Sequence, residues 1–136
     1  MYPEHLTKPC EQELTNNGFK ALKSAAVVTD ELNKKGTTLL VINSVCGCAA
    51  ANARPGALAS VQHNKHPENL VTVFAGVDSE AVAKAREFTF PYPPSSPSIG
   101  LFKDGKLVHF LERSNIEGNS AQAIAKNLIA AYEEFC

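Results

Sequence analysis

The sequence lacks the features of a nucleic-acid-binding or membrane-spanning protein. Its formal net charge is −1 at pH 7, so no excess of basic residues is available to attract nucleic acid or an anionic membrane surface. No apolar run approaches the ~18 residues that a membrane-spanning helix requires. The first residues also lack the basic segment and the apolar stretch of a signal peptide, which predicts a protein of the cytoplasm. In that reducing compartment, paired cysteines are more often catalytic or metal-binding than structural.

Linkers, internal repeats and low-complexity tracts are absent as well. The 136 residues are enough for one hydrophobic core, so we expect a single domain over residues 1–136. The hydrophobic fraction of 44% and the charged fraction of 20% are ordinary for a globular protein.

Two cysteines separated by one glycine follow the most strand-like segment of the chain. Residues 37–43 are β-branched and aliphatic and begin after Gly36, which predicts a strand. The alanine-rich stretch from Cys46 to Val61 predicts a helix. Cys46 and Cys48 therefore lie at a strand-to-helix turn, where backbone N–H groups and the helix dipole stabilise an anion. Because a thiolate is such an anion, we expect a lowered thiol pKa and a site for thiol–disulfide exchange.

The rest of the sequence predicts an α/β fold. The predicted helices cover residues 1–35 with a break near 16–18, residues 78–87, and the chain from about Ser120 onward, and Ser24 could cap the second helical segment. The other predicted strands are 70–75, 98–102 and 107–111. A helix between strands 37–43 and 70–75 should make these two strands parallel. Asp104-Gly105 predicts a tight hairpin turn. Pro55 should kink or interrupt the helix that follows the cysteines. The order predicts a central four-stranded mixed sheet with the cysteine strand inside, helices on both faces and an extra N-terminal helical segment.

Several motifs together resemble the bacilliredoxins, a small family of thioredoxin-like proteins. They are Cys46-Gly47-Cys48 after the first core strand, Val73-Phe74-Ala75-Gly76, Pro94-Ser95-Ser96-Pro97-Ser98, Ile116-Glu117-Gly118 and the terminal Cys136. The cysteine pair, the proline before the third strand and the hairpin Lys103-Asp104-Gly105-Lys106 together resemble the thioredoxin fold. The resemblance covers essentially the whole chain and implies a thioredoxin-like fold with a cis peptide bond before Pro97, facing the cysteines. The sequence departs from the family at Cys10, where an apolar residue is expected, and at Asn119, where histidine is expected.

The resemblance also implies a function. A bacilliredoxin is expected to be a thiol–disulfide oxidoreductase that removes the small thiol bacillithiol from mixed disulfides with client proteins. Cys46 would attack the bacillithiol sulfur and release the reduced client, and Cys48 or a second bacillithiol molecule would resolve the adduct. Bacillithiol would then be a co-substrate, and no bound cofactor is expected.

Five further residues are candidates for substrate binding or redox chemistry. Gly47 is expected to adopt backbone angles that a Cβ would forbid, relieving strain between the cysteines. Ser96 and Pro97 would offer backbone groups to the incoming substrate chain. Arg54 is a candidate cation for the carboxylates of bacillithiol. Cys136 is either an incidental thiol at a frayed chain end or a third redox cysteine that the final helix brings to the site.

Two other functions are compatible with the same cysteine pair. A disulfide closed over a single intervening residue departs from the preferred geometry. It should therefore be easily reduced, which suits protein disulfide isomerisation. The pair could also supply two ligands of a metal- or iron–sulfur-handling module. The remaining cysteines and histidines form no paired ligand motif, so we expect no metal site.

Overall fold

The computed structural model describes residues 2–136. Within them the helices are α1 (Glu4–Thr15), α2 (Ala25–Leu32), α3 (Arg54–Ser60), α4 (Ser79–Phe88), α5 (Arg113–Ile116) and α6 (Ala121–Phe135), and a π-helical turn (Ala49–Ala53) precedes α3. The strands are β1 (Lys20–Ala21), β2 (Thr37–Asn43), β3 (Asn69–Phe74), β4 (Ser98–Lys103) and β5 (Lys106–Leu111). No helix in this described part of the chain is long and apolar enough to span a bilayer.

The strands form one mixed sheet in the order β1-β3-β2-β4-β5. The cysteine strand β2 lies in the middle, parallel to β3 and antiparallel to β4, and β4 pairs antiparallel with β5. Over residues 2–136 the sheet has five strands, one more than the four predicted. The additional strand β1 pairs Lys20 and Ala21 in parallel with β3. Two residues are too few to show the alternation by which a strand is recognised in a sequence, so β1 depends on its tertiary pairing.

Hydrophobic cores cover both faces of the sheet. All seven residues of β2 are buried. Because side chains alternate between the faces of a strand, Leu39 and Val41 pack on one side with residues of α3 and α6. Leu40 and Ile42 pack on the other side with residues of α2 and α4. The strand that leads into the cysteines is thus fixed from both sides, and the predicted arrangement of helices on both faces is confirmed.

The cysteine helix is irregular next to its proline, as predicted. Helical structure runs from residue 47 to residue 60, but Arg54 donates its backbone N–H to Ala49 O, five residues back. A proline ring in a regular helix clashes with the carbonyl four residues earlier. The wider π-helical turn before Pro55 relieves that clash without ending the helix. At the residue after Pro55, a Cβ on Gly56 would lie 2.7 Å from Ile124 Cγ2, so glycine allows α6 to pack closely on α3.

The predicted turn and helix starts are also present. Asp104 and Gly105 have φ values of 51° and 83°, the positive angles that a tight two-residue hairpin needs. The Ser24 hydroxyl accepts a hydrogen bond from a backbone N–H at the start of α2. The Ser120 hydroxyl accepts one at the start of α6. These features come from local sequence and are confirmed.

Candidate functional site

Three segments meet at the edge of the sheet where β2 ends. The cysteine turn follows β2, Pro97 precedes β4, and Arg113 follows β5. The antiparallel register pairs Ile42 with Ser98 and connects β4 to β5 in the same way, so the three segments are brought side by side. The Ser96–Pro97 peptide bond is cis, as the resemblance implied. A second cis bond, Phe90–Pro91, was not predicted.

The two cysteine side chains are in direct contact at this edge. Their Sγ atoms lie 2.6 Å apart, and both residues are half-buried. The Cys46 N–H donates to Ser44 Oγ at 2.9 Å, which fixes the start of the turn. The Cys48 N–H donates to Cys46 Sγ at 3.4 Å. The turn therefore aims a backbone donor at Cys46 Sγ, as expected for an anion at the start of a helix.

The surroundings separate the pKa values of the two thiols. The pKa of Cys46 is lowered by the hydrogen bond from the Cys48 side chain, by the backbone N–H groups of Cys48 and Ala49, and by the charge of Arg113. The pKa of Cys48 is raised by burial and by its contact with the charged Cys46 sulfur. Interacting groups lose their protons in steps that belong to the pair. In this pair the first negative charge resides on Cys46.

Arg113, which sequence reasoning missed, is the cation at the site. Its backbone N–H donates to Ser95 Oγ at 3.3 Å and its Nη1 donates to Ser96 O at 3.4 Å. Its Nε and Nη2 bind Glu117 Oε2 at 3.1 and 3.0 Å. The side chain is 46% exposed, and its charge lowers the pKa of both thiols. Only the pairing of β5 with β4 brings it near the cysteines, so local sequence held no signal for it.

Arg54 is buried, and its expected role as an exposed cation for the substrate is wrong. Its side chain is 4% exposed. Nη1 donates to Asn43 Oδ1 at 2.8 Å and to Ser44 O at 2.9 Å, and Nε donates to Glu13 Oε1 at 2.7 Å. The guanidinium therefore joins α1, the end of β2 and the cysteine turn, and it positions the turn instead of facing solvent.

Asn43 is a second positioning residue that sequence reasoning missed. It is fully buried, and its Oδ1 accepts from both the Ser44 N–H, at 2.8 Å, and Arg54. Its Nδ2 donates to Cys10 O at 3.1 Å. The signal for this role was a polar side chain that directly follows the apolar run 39–42 of β2. Cys10, where the sequence departs from the family, contributes its carbonyl to this network, while its Sγ bonds to Leu6 O within α1.

Gly47 has a helical backbone in this structure, in which both cysteines are free. Its φ is not in the left-handed region, and a Cβ built on it would meet no atom within 4 Å. The role expected for Gly47, relieving strain in a Cys46–Cys48 disulfide, therefore stays a prediction. Gly47 leaves open space beside the half-buried sulfurs of Cys46 and Cys48.

Cys136 lies at the opposite end of the sheet from the cysteine pair. Its side chain lies beside Thr37, and burial raises its pKa. Thr37 begins β2 and Asn43 ends it, and strands rise about 3.3 Å per residue. Because about 20 Å of strand separates the two ends, α6 does not deliver Cys136 to Cys46. Of the two alternatives for Cys136, its position favours a thiol that takes no part in this site.

The predicted substrate-binding residues Ser96 and Pro97 do lie beside the cysteine turn. Ser96 is half-buried and Pro97 is buried, and the Ser96 carbonyl is held by Arg113. Within residues 2–136, no group of three or more His, Cys, Asp or Glu side chains is placed to bind a metal ion.

Comparison with known proteins gives matches along nearly the whole chain. A family model described as disulphide isomerase matches residues 2–136. The chain is 58% identical over 134 residues to a bacilliredoxin of Cytophaga hutchinsonii, covering 98% of this chain and 99% of that protein. It is 52% identical over 136 residues to a bacilliredoxin of Halalkalibacterium halodurans, covering 99% and 94%. The oxidised mitochondrial thioredoxin 3 of Saccharomyces cerevisiae superposes with a TM-score of 0.61 at 15% identity, covering 90% of this chain and 98% of that one. The last likeness shows the thioredoxin fold.

Proposed function

Because the chain belongs to the bacilliredoxin family of thiol–disulfide oxidoreductases, we propose that it removes bacillithiol from mixed disulfides on client proteins. The observation that carries the proposal is the geometry of the pair: Cys48 Sγ lies 2.6 Å from Cys46 Sγ, and the Cys48 N–H donates to that sulfur. These contacts lower the pKa of Cys46, while the pKa of Cys48 is raised. A thiolate is the attacking species in disulfide exchange, and a neighbouring thiol is suited to resolve the product. We also propose that the protein acts in the reducing cytoplasm, with bacillithiol as a co-substrate.

The first step is an exchange of one disulfide for another. The Cys46 thiolate attacks the bacillithiol sulfur of the mixed disulfide, and the bond between that sulfur and the client cysteine breaks. The client leaves as a thiolate, which takes a proton from water, and bacillithiol remains bonded to Cys46. No net oxidation or reduction occurs in this step.

The second step removes bacillithiol from Cys46 by one of two routes. Cys48 loses its proton and attacks Cys46 Sγ, which releases bacillithiol as a thiolate and leaves a Cys46–Cys48 disulfide. Alternatively, a second bacillithiol thiolate attacks the adduct, producing bacillithiol disulfide and the Cys46 thiolate. The first route leaves the protein oxidised by two electrons, so a separate dithiol reductant has to restore it. The direct contact between the two sulfurs supports the first route.

Mass spectrometry on variants that each replace one cysteine tests the proposal. With a bacillithiolated client, Cys48→Ser should release the reduced client and gain the mass of one bacillithiol on Cys46. Cys46→Ser should release no client. Cys136→Ser is the matched control, because that thiol lies at the far end of the sheet, and it should behave like the native protein. Client protein left covalently attached to Cys46 would contradict the proposed direction of attack.

Protein disulfide isomerisation is the second candidate, favoured by the description of the matching family model. An isomerase attacks a protein sulfur and forms a transient mixed disulfide with the client. It would restore the activity of a client with scrambled disulfides when no bacillithiol is present. Recovery of such a client by the native protein, and none by Cys46→Ser, would support this second function.

A further inference from the structure

The ion pair of Arg113 with Glu117 lies beside the reactive sulfurs. The Arg113 guanidinium bonds a single oxygen of Glu117, and the two side chains are 46% and 59% exposed. Exposed ion pairs of this kind contribute little to stability. Another carboxylate can therefore replace Glu117 at small cost. An arginine binds a carboxylate best through two parallel N–H···O bonds, a geometry that this one-oxygen contact does not provide.

Both members of the pair are held against the site by their backbone neighbours. The Arg113 N–H and guanidinium bond to the segment before Pro97. On the other side, Asn52 of the π-helical turn donates to Asn119 O, which anchors the loop after Glu117 to the cysteine helix. The charges of Arg113 and Glu117 both act on the Cys48 sulfur. The other arginine beside the turn, Arg54, is buried and bonded to Glu13, so the solvent-facing cation is Arg113.

We propose that Arg113 selects small thiols that carry a carboxylate: it exchanges Glu117 for the substrate carboxylate and thereby determines which sulfur of the mixed disulfide meets Cys46. The inference rests on the proposed function, in which Cys46 takes the small thiol. A mixed disulfide offers two sulfurs, and the outcome depends on which one is attacked. A carboxylate bound to Arg113 directs the small-thiol sulfur toward the Cys46 thiolate. The client cysteine is then the leaving group, and Arg113 orients the substrate without taking part in the bond exchange.

Two mixed disulfides of one client cysteine test this selection. One carries 3-mercaptopropionate, which has a carboxylate, and the other carries 2-mercaptoethanol, which has none. The native protein should release the client from the mercaptopropionate adduct with the higher kcat/KM. Arg113→Gln should lower both rates, because the thiolate loses a stabilising charge. It should lower the mercaptopropionate rate about tenfold more, mainly through KM, because a charge-assisted pair is lost.

Two further variants sharpen the comparison. Glu117→Gln should strengthen the preference for the carboxylate-bearing adduct by lowering its KM, because the competing carboxylate is gone. Lys84→Gln is the matched control, since Lys84 forms an exposed ion pair with Glu87 on α4, and it should leave the preference unchanged.

The possible failures are distinguishable. If Arg113→Gln lowers kcat/KM equally for both adducts, the proposed selection is overturned and Arg113 acts only on the thiolate. If Arg113→Gln changes neither value, the selection is overturned as well. If the native protein discriminates between these two adducts but does not release bacillithiol from a client, the proposed function fails while recognition of carboxylates by Arg113 stands.

Discussion

Replacing Arg54 by methionine should destabilise the protein by about 2–4 kcal/mol, because buried acceptors lose their donor. Asn43 and Ser44 are 0% and 6% exposed, and the Arg54 guanidinium donates to Asn43 Oδ1 and to Ser44 O. Leaving a buried acceptor without a partner costs about 1–3 kcal/mol. Asn43 Oδ1 keeps the Ser44 N–H as one donor, so it contributes less than Ser44 O to the loss in the free energy of unfolding.

The ion pair with Glu13 adds less to this cost. Breaking a fully buried ion pair costs about 3–5 kcal/mol, because one charge is left without a partner or water. The Glu13 side chain, however, is 36% exposed, so water can solvate its carboxylate once Arg54 is gone. The neutral variant Glu13→Gln retains an acceptor oxygen for the buried Arg54 guanidinium but removes its counter-charge. We expect it to lose about 1–2 kcal/mol, less than Arg54→Met, because Asn43 and Ser44 keep their donor.

Urea denaturation of Arg54→Met, Glu13→Gln and the native protein measures these differences, provided that the slope with denaturant stays constant. A loss below about 1 kcal/mol in Arg54→Met would refute the assignment of Arg54 as the residue that satisfies the buried acceptors. Equal losses in the two variants would also refute it, since the ion pair alone would then account for the effect. As a second readout, alkylation of Cys46 in folded Arg54→Met should slow, because Ser44 Oγ would no longer be fixed against the Cys46 N–H.

Three other changes give direct tests of the site. The rate of Cys46 alkylation by iodoacetamide should reach half its maximum at a lower pH than for an ordinary thiol, because the pKa of Cys46 is lowered. Cys48→Ala should move this midpoint to higher pH, since it removes the hydrogen bond from Cys48, and an unmoved midpoint would contradict this. Gly47→Ala should leave the free energy of unfolding unchanged or raise it by up to about 1 kcal/mol, and a clear loss of stability in urea would contradict the open space seen at Gly47. A slower release of client by this variant would show that the added methyl group obstructs the sulfurs. Cys136→Ser should keep the client-release rate within about twofold of the native rate, since about 20 Å of strand separates the ends of β2; a larger loss would return Cys136 to the mechanism.

The parts of the fold that the sequence predicted correctly depend on local patterns. The continuous apolar run of β2 marks a strand buried on both faces. The Asp104-Gly105 pair requires positive φ angles wherever it occurs in a tight hairpin, and Ser24 and Ser120 cap helices through neighbouring N–H groups. Each of these residues acts on partners a few positions away, so the tertiary structure was not needed to recognise them.

The errors concern residues whose positions depend on distant pairings. Arg113 reaches the cysteines only because β5 pairs with β4, and a register shift lies between Leu101 and Phe102 of that pairing. A shift of one residue sends every following side chain to the other face of a sheet. The sequence shows that β5 exists but not where this irregularity lies. The sequence left the position of Cys136 open for a similar reason, because the direction in which α6 packs on α3 determines which end of the sheet it reaches.

The burial of Arg54 follows from the same irregularity that the sequence did predict. On a straight α-helix each residue turns the side chains by about 100°. The π-helical turn Ala49–Ala53 places one additional residue in the turn before Arg54, so later side chains are displaced from the regular pattern by about that angle. Pro55 indicated that the helix would be irregular, but the prediction of an exposed Arg54 still assumed a regular helix. The turn that accommodates Pro55 is thus the one that directs Arg54 toward Asn43, and it makes the arginine a support for the cysteine turn.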